Sequence, residues 1–170
     1  MTKIISFVGK SKTGKTVLIE RLIPLFIKEG YTVGTIKHTV HEIAFPEGKK
    51  DTTRHFKAGA SITTILSSDS FLSMGILDNI NLTVEKLIDL YTKLGIDIIF
   101  IEGFKSKPFP KVIVANSKED LDMIPKVGKI ICIVSKEKLV DNIPCYSPDK
   151  LSEIAECIER EIKNNPSVNY

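Results

Sequence analysis

The chain has 170 residues, enough for a single domain, 1–170, with a sizeable hydrophobic core. Lysine and arginine number 24 against 21 aspartates and glutamates, giving a formal charge of +3, and hydrophobic residues make up 42%. That balance points to neither a nucleic-acid binder nor a membrane binder, and no run approaches the roughly 18 apolar residues of a membrane span.

Lys3–Val8, with the apolar run Ile4-Ile5-Ser6-Phe7-Val8, reads as a buried strand. It is too short for a signal peptide, so a cytoplasmic location is expected. Gly9-Lys10-Ser11-Lys12-Thr13-Gly14-Lys15-Thr16 follows and fits the phosphate-loop pattern G-x-x-x-x-G-K-[ST]. Lys15–Glu29 reads as a helix closed by Gly30, so the loop has the strand–loop–helix context that such a motif needs. Backbone N–H groups of the loop and the positive helix end would cradle the phosphates of a nucleoside di- or triphosphate. Lys15 would reach the β- and γ-phosphates, and the Thr16 hydroxyl would ligate Mg²⁺. Lys10 and Lys12 keep two readings. A lysine just after the first glycine looks like the signature lysine of one P-loop class, which reaches a nucleotide across a dimer; the other reading is a solvated loop charge.

A second strand, Thr32–Lys37, comes next, then a long polar connection from His38 to Ala58 broken by Pro46 and Gly48. Ser61–Ser67 and Phe71–Ile76 read as strands of an antiparallel hairpin turning at Ser68-Asp69. Leu82–Leu94 reads as a helix with Thr83 or Asn81 as its cap, and Gly95 ends it. Ile96–Ile101, Lys111–Ala115 and Lys129–Val134 are further strands, and Leu151–Lys163 is a closing amphipathic helix with Ser147 to Asp149 near its start. Asn164–Tyr170 is the one stretch that reads as disordered. The alternation predicts an α/β three-layer sandwich of the P-loop type, a mostly parallel sheet flanked by helices, with ligands at the carboxyl ends of the strands.

Cys132, Cys145 and Cys157 form no C-x-x-C pair, which argues against a disulfide framework or a zinc-binding cysteine cluster, and Cys132 reads as a buried small hydrophobe. Glu102 emerges at the end of an apolar strand where the phosphates would sit, and is expected to hold Mg²⁺ through water or to orient a water; Asp97, five residues back, should be structural. Lys37 could meet an anion. His38 and His41 could share a metal or act as hydrogen-bonding loop residues. Asp51 could bind Mg²⁺ or its waters and Arg54 could pair with phosphate, or both could belong to a solvated polar loop; Lys57-Ala58-Gly59-Ala60 then supplies small residues for close packing. Gly48-Lys49-Lys50 and Lys105-Ser106-Lys107 are local basic spots suited to an anionic ligand.

Together these pieces resemble the MobB family, the molybdopterin-guanine dinucleotide biosynthesis adaptor proteins. The resemblance runs from residue 1 to roughly Ala115, with a continuation to Glu161. It rests on the phosphate loop, on Lys37-His38, on Asp51 to Arg54 followed by Ala58-Gly59-Ala60, and on Glu102-Gly103-Phe104-Lys105 with Pro108 and Pro110-Lys111. It implies a P-loop fold of the dimer-forming class, GTP and Mg²⁺ as ligands, weak GTP hydrolysis, and assistance to the guanylyltransferase that joins GMP to molybdopterin. By matching position, Lys15 and Thr16 would hold phosphate and Mg²⁺, Asp51 and Glu102 would be the acidic partners of the metal, and Lys37, His38 and Arg54 would line the site. The chain departs from the family at Lys12 and its neighbours, where Ser and Gly are usual, so the loop is more positive, and Ser135-Lys136-Glu137-Lys138 lacks the Asp of the guanine-reading N-K-x-D motif. GTP over ATP therefore rests on the resemblance.

Three other functions use the same loop. A small-molecule kinase would need an arginine-rich lid, and the arginines are only Arg21, Arg54 and Arg160. A metallochaperone GTPase would use His38 and His41, with a cysteine as a further candidate ligand, and a non-hydrolysing scaffold would bind nucleotide without turnover.

Overall fold

Burial of every residue from Ile4 to Val8 makes the first strand an interior one, as a near-continuous apolar run requires in a parallel sheet. In the computed structural model, residues 2–41, 43, 51–77 and 80–164 are described. The chain runs β1 (Lys3–Val8), α1 (Lys15–Lys28), β2 (Val33–Lys37), α2 (Asp51–Lys57), β3 (Ile62–Leu66), β4 (Phe71–Gly75) and α3 (Val84–Lys93). It continues through β5 (Ile98–Glu102), β6 (Lys111–Val114), α4 (Lys118–Asp122), β7 (Ile130–Val134), β8 (Cys145–Tyr146) and α5 (Leu151–Asn164). The chain divides into two compact units, Met1–Thr39 with Ile88–Tyr170, and Val40–Leu87.

The first unit is built on a six-stranded sheet of order β2-β5-β1-β6-β7-β8, with parallel pairing throughout. One face packs Phe7, Phe100, Val112 and Cys132 against Leu22 and Phe26 of α1 and Ile154 and Ile158 of α5. Phe100 is edge-on to both Phe7 and Phe26, with centroids 5.1 and 5.2 Å away, the arrangement that ring quadrupoles favour. The opposite face packs Val8, Ile113 and Ile133 with Ile124 and Leu139, and α4 adds Leu121. Helices on both faces of a parallel sheet make the α/β three-layer fold that the alternation predicts. Cys132 is fully buried in that core. Asp97 caps the sheet at the end away from the phosphate loop, its carboxylate accepting the Thr32 N–H at 2.8 Å.

The second unit carries the predicted hairpin, with Ile62 opposite Gly75 and Leu66 opposite Phe71. Its turn closes through the Ser67 N–H to the Ser70 carbonyl at 2.8 Å, and Ser67 Oγ bonds Asp69 Oδ1 at 2.7 Å. The hairpin leaves Leu66, Phe71 and Leu72 exposed, at 79%, 62% and 50%. Of the two cap candidates for α3, Thr83 accepts the Lys86 N–H.

Three elements correct the sequence reading. Asp51–Lys57, read as part of an irregular connection, is the helix α2, which packs on β3 and has no buried residue to give it a periodic signature. The short helix α4 is set by Ser117, whose side chain caps the Asp120 N–H, and β8 is only two residues long. Pro46, Gly48-Lys49-Lys50 and residues 165–170 of the expected disordered tail lie outside the described residues. Among the described residues, no helix is long and apolar enough to cross a membrane.

Candidate nucleotide site

The phosphate loop leaves β1 at its carboxyl end. Gly9 is required there by space, because a Cβ on it would lie 2.2 Å from the Val114 carbonyl oxygen at the end of β6. Gly14, at φ 96°, turns the chain into α1 with a left-handed conformation that a side chain would oppose. Within the loop, the Lys10 carbonyl accepts both Thr13 Oγ1 at 2.9 Å and Lys15 Nζ at 2.6 Å. The Lys15 ammonium is thus folded over the loop. Burial pushes its pKa below the usual lysine value; Glu102 partly opposes that shift and Lys37 adds to it. A cation held this way gains from an incoming anion.

The second half of the site comes from strand pairing. β5 lies between β1 and β2, with Glu102 opposite Phe7 on one side and Lys37 on the other. Parallel registry therefore brings three chain segments to one edge. Thr16 Oγ1 donates to Glu102 Oε2 at 2.9 Å, and Lys37 Nζ lies 3.3 Å from Oε1 of the same carboxylate. The Glu102 side chain is 14% exposed, so its ion pair is better shielded than an ordinary surface pair. A hydroxyl and a carboxylate beside a phosphate loop form the hard-oxygen donor set that Mg²⁺ uses, with phosphates and water completing the shell. The residues present fit that ion. Among the described residues, no group of three or more His, Cys, Asp or Glu side chains gathers as a metal cage.

The other expected residues divide. His38 continues the β2–β5 ladder, its N–H donating to the Glu102 carbonyl at 2.9 Å, and its ring stacks on Phe104 with centroids 4.4 Å apart. Lys15, Thr16, Lys37, His38 and Glu102 are thus assembled within the first unit. Asp51 and Arg54 belong to the second unit, where they pair with each other on α2 at 3.6 Å. Lys12 is exposed at φ 63°.

Two contacts escape a reading by motif. Lys10 Nζ lies 3.9 Å from Asp120 Oδ1, and the other oxygen of that buried carboxylate accepts the Asn116 N–H at 3.0 Å. Lys10 therefore has a partner inside its own chain, which neither reading of it includes. The Ser117 cap does carry a sequence signal, the [ST]-x-x-[DE] spacing of Ser117 and Asp120. Phe104 beside His38 has no such spacing signal.

The sequence model described as "Molybdopterin guanine dinucleotide synthesis protein B", MobB, matches residues 4–136. A Bacillus subtilis protein named "Probable molybdopterin-guanine dinucleotide biosynthesis adapter protein" is 36% identical over 141 residues, covering 79% of this chain and 77% of that protein. The Haemophilus influenzae molybdopterin-guanine dinucleotide biosynthesis adapter protein is 26% identical over 157 residues, 92% of this chain and 87% of that one. The crystal structure of Bacillus subtilis MobB superposes with a TM-score of 0.80 at 29% identity, covering 96% of this chain and 99% of that chain. The MobB homolog from Bacillus stearothermophilus, at 22% identity and a TM-score of 0.75, shares the fold over 95% of this chain and 99% of its own. On the match over residues 4–136 and the 36% identity to the Bacillus subtilis relative, this chain belongs to the MobB family.

Proposed function

We propose that this chain is a cytoplasmic GTP-binding accessory protein of molybdopterin-guanine dinucleotide biosynthesis. It hydrolyses GTP slowly and assists the guanylyltransferase that attaches GMP to molybdopterin. The observation that carries this reading is the 2.9 Å contact between Thr16 and Glu102 beside Lys15, in a chain of the MobB family.

On nucleotide binding, the Lys15 ammonium exchanges the Lys10 carbonyl for β- and γ-phosphate oxygens. Thr16 and Glu102 are the residues that would hold Mg²⁺, which would supply positive charge to offset that of the phosphates. Lys37 balances the Glu102 carboxylate and keeps it at the strand edge. Two donors, Thr16 and Lys37, engage Glu102, which suits holding a cation better than taking a proton from water. That supports slow hydrolysis. The exposed Leu66, Phe71 and Leu72 of the hairpin support a homodimer, because a second copy would cover apolar surface otherwise left in water.

Thermal unfolding with GTP and with ATP, each with and without Mg²⁺, tests the reading. A ligand at a hundredfold its dissociation constant stabilises by about 2.7 kcal/mol. GTP with Mg²⁺ is expected to give the larger shift, and single-turnover hydrolysis above background should vanish in Lys15→Ala. Stabilisation by ATP with none by GTP would overturn the guanine assignment.

A further inference from the structure

Phe104 is held in a backbone conformation that a bulky residue rarely adopts, with φ 51° directly after Gly103 at φ 107°. Four hydrogen bonds fix the turn. The Gly103 N–H donates to the Phe7 carbonyl at 3.0 Å, and the Lys107 N–H donates to the Phe104 carbonyl at 2.9 Å. From the sheet, the fully buried Ser6 donates its hydroxyl to the Gly103 carbonyl at 2.8 Å, and the buried Lys111 donates its ammonium to the Lys107 carbonyl. Ser6 and Lys111 sit opposite each other in the β1–β6 register, so two polar side chains inside the core both serve this turn.

The strain is not used to bury the ring. Phe7, Phe26, Phe100 and Phe109 are all at most 1% exposed, whereas Phe104 is only half-buried and lies on the exposed His38 ring, tilted 38° at 4.4 Å. A large aromatic residue kept out of the core at a conformational cost points to a task at the surface. Lys105, exposed, follows Phe104 in the chain and brings positive charge next to the pair. Phe104 follows Glu102 by two residues and the His38 N–H donates to the Glu102 carbonyl, so the pair stands beside the Thr16–Glu102 contact.

We propose that the His38–Phe104 pair is a second binding site, a stacking platform for a planar heterocycle that carries an anionic group and is separate from the nucleotide in the phosphate loop. The flat ring of this ligand extends the stack, and Lys105 meets its negative charge. The glycine at 103 is part of the device, because a Cβ there would come within 3.1 Å of the His38 Cβ and force the two rings apart. The site rests on the proposed reading in that the nucleotide occupies the loop beside it.

Pterin-6-carboxylate, a fluorescent planar anion, is the probe, titrated with protein already saturated with GDP and Mg²⁺. Its fluorescence should be quenched, an excess of GDP should not displace it, and glucose 6-phosphate, anionic but without a flat ring, should not compete. Phe104→Gly relieves the backbone strain and so keeps the fold; it should weaken the probe about tenfold, the scale of one stacking contact, with GDP affinity held within a factor of about two. Phe104→Trp should retain the probe. Absence of quenching in the wild type, unchanged affinity in Phe104→Gly, or displacement by GDP would each overturn the second site. Those results with GDP binding intact strike only the platform. Loss of GDP binding itself, measured first against Lys15→Ala, strikes the nucleotide reading instead.

Discussion

Thr16 and Glu102 stand 86 residues apart in the chain and meet through a hydroxyl-to-carboxylate hydrogen bond of 2.9 Å. That bond joins the first turn of α1 to the end of β5, and with it the two halves of the candidate Mg²⁺ site. Glu102→Gln keeps the shape and removes the charge. GTP affinity with Mg²⁺ is expected to fall about tenfold or more in this variant, in line with the loss of a charged partner. Affinity in EDTA should stay within about twofold. Calorimetric titrations in both conditions check this, and an equal loss in the two would remove Glu102 from the metal site.

Gly9→Ala places a methyl group where the Val114 carbonyl oxygen already lies, 2.2 Å away. Backbone, not a flexible side chain, must give way. The variant should lose nucleotide binding and about 1–3 kcal/mol of stability, the usual range for overpacking. Urea unfolding beside a GDP titration measures both. Wild-type affinity in the variant would show that the loop tolerates a displacement from β6.

The two partly desolvated lysines predict an alkaline effect. Burial lowers the pKa of Lys111, and burial is also the leading cause at Lys15. Between the lowered folded value and the ordinary value of about 10.4, the unfolded chain binds more protons than the folded one, so each group makes stability rise with pH across that window. Lys111→Met removes one of them. The stability difference, wild type minus Lys111→Met, should therefore shift toward the wild type as pH rises through the window. A difference that is flat or moves the other way in urea midpoints contradicts the desolvated-ammonium account.

Leu66 and Phe71 face each other across the hairpin and are mostly exposed. If a second copy covers them, Phe71→Asp should turn a dimer into a monomer by light scattering while GDP affinity stays within about twofold. A wild type that is monomeric, or a variant that stays dimeric, would move the interface elsewhere.

Where local chemistry is dense, the sequence is readable. The phosphate loop needs glycines and a lysine at set spacing, and Glu102 is legible because a polar residue closing an apolar strand has few other uses. Strand order is a long-range property. Nothing in β1 itself says that β5 and β6 will be its neighbours, so the meeting of Lys37 and Glu102 across adjacent strands could only be anticipated as a shared edge. Helix α2 escapes because it has no buried stripe, and the Lys10–Asp120 pair because charges carry no marker of their partner. Phe104 looks like any core phenylalanine in a sequence; only its φ of 51° and its neighbour His38 set it apart.

The position of β1 also bears on how the chain comes together during synthesis. It precedes both of its neighbours in the chain by about 90 residues or more, since they begin at Ile98 and Lys111. Strand β1 thus leaves the ribosome with both edges unpaired and must wait for most of the chain before it can dock. Distant pairing of this kind slows folding and prolongs the time that apolar edges are exposed. Until β5 and β6 arrive, the Ile4–Val8 segment lacks the neighbours that bury it, and a ribosome stalled before Ile98 would display it to its surroundings.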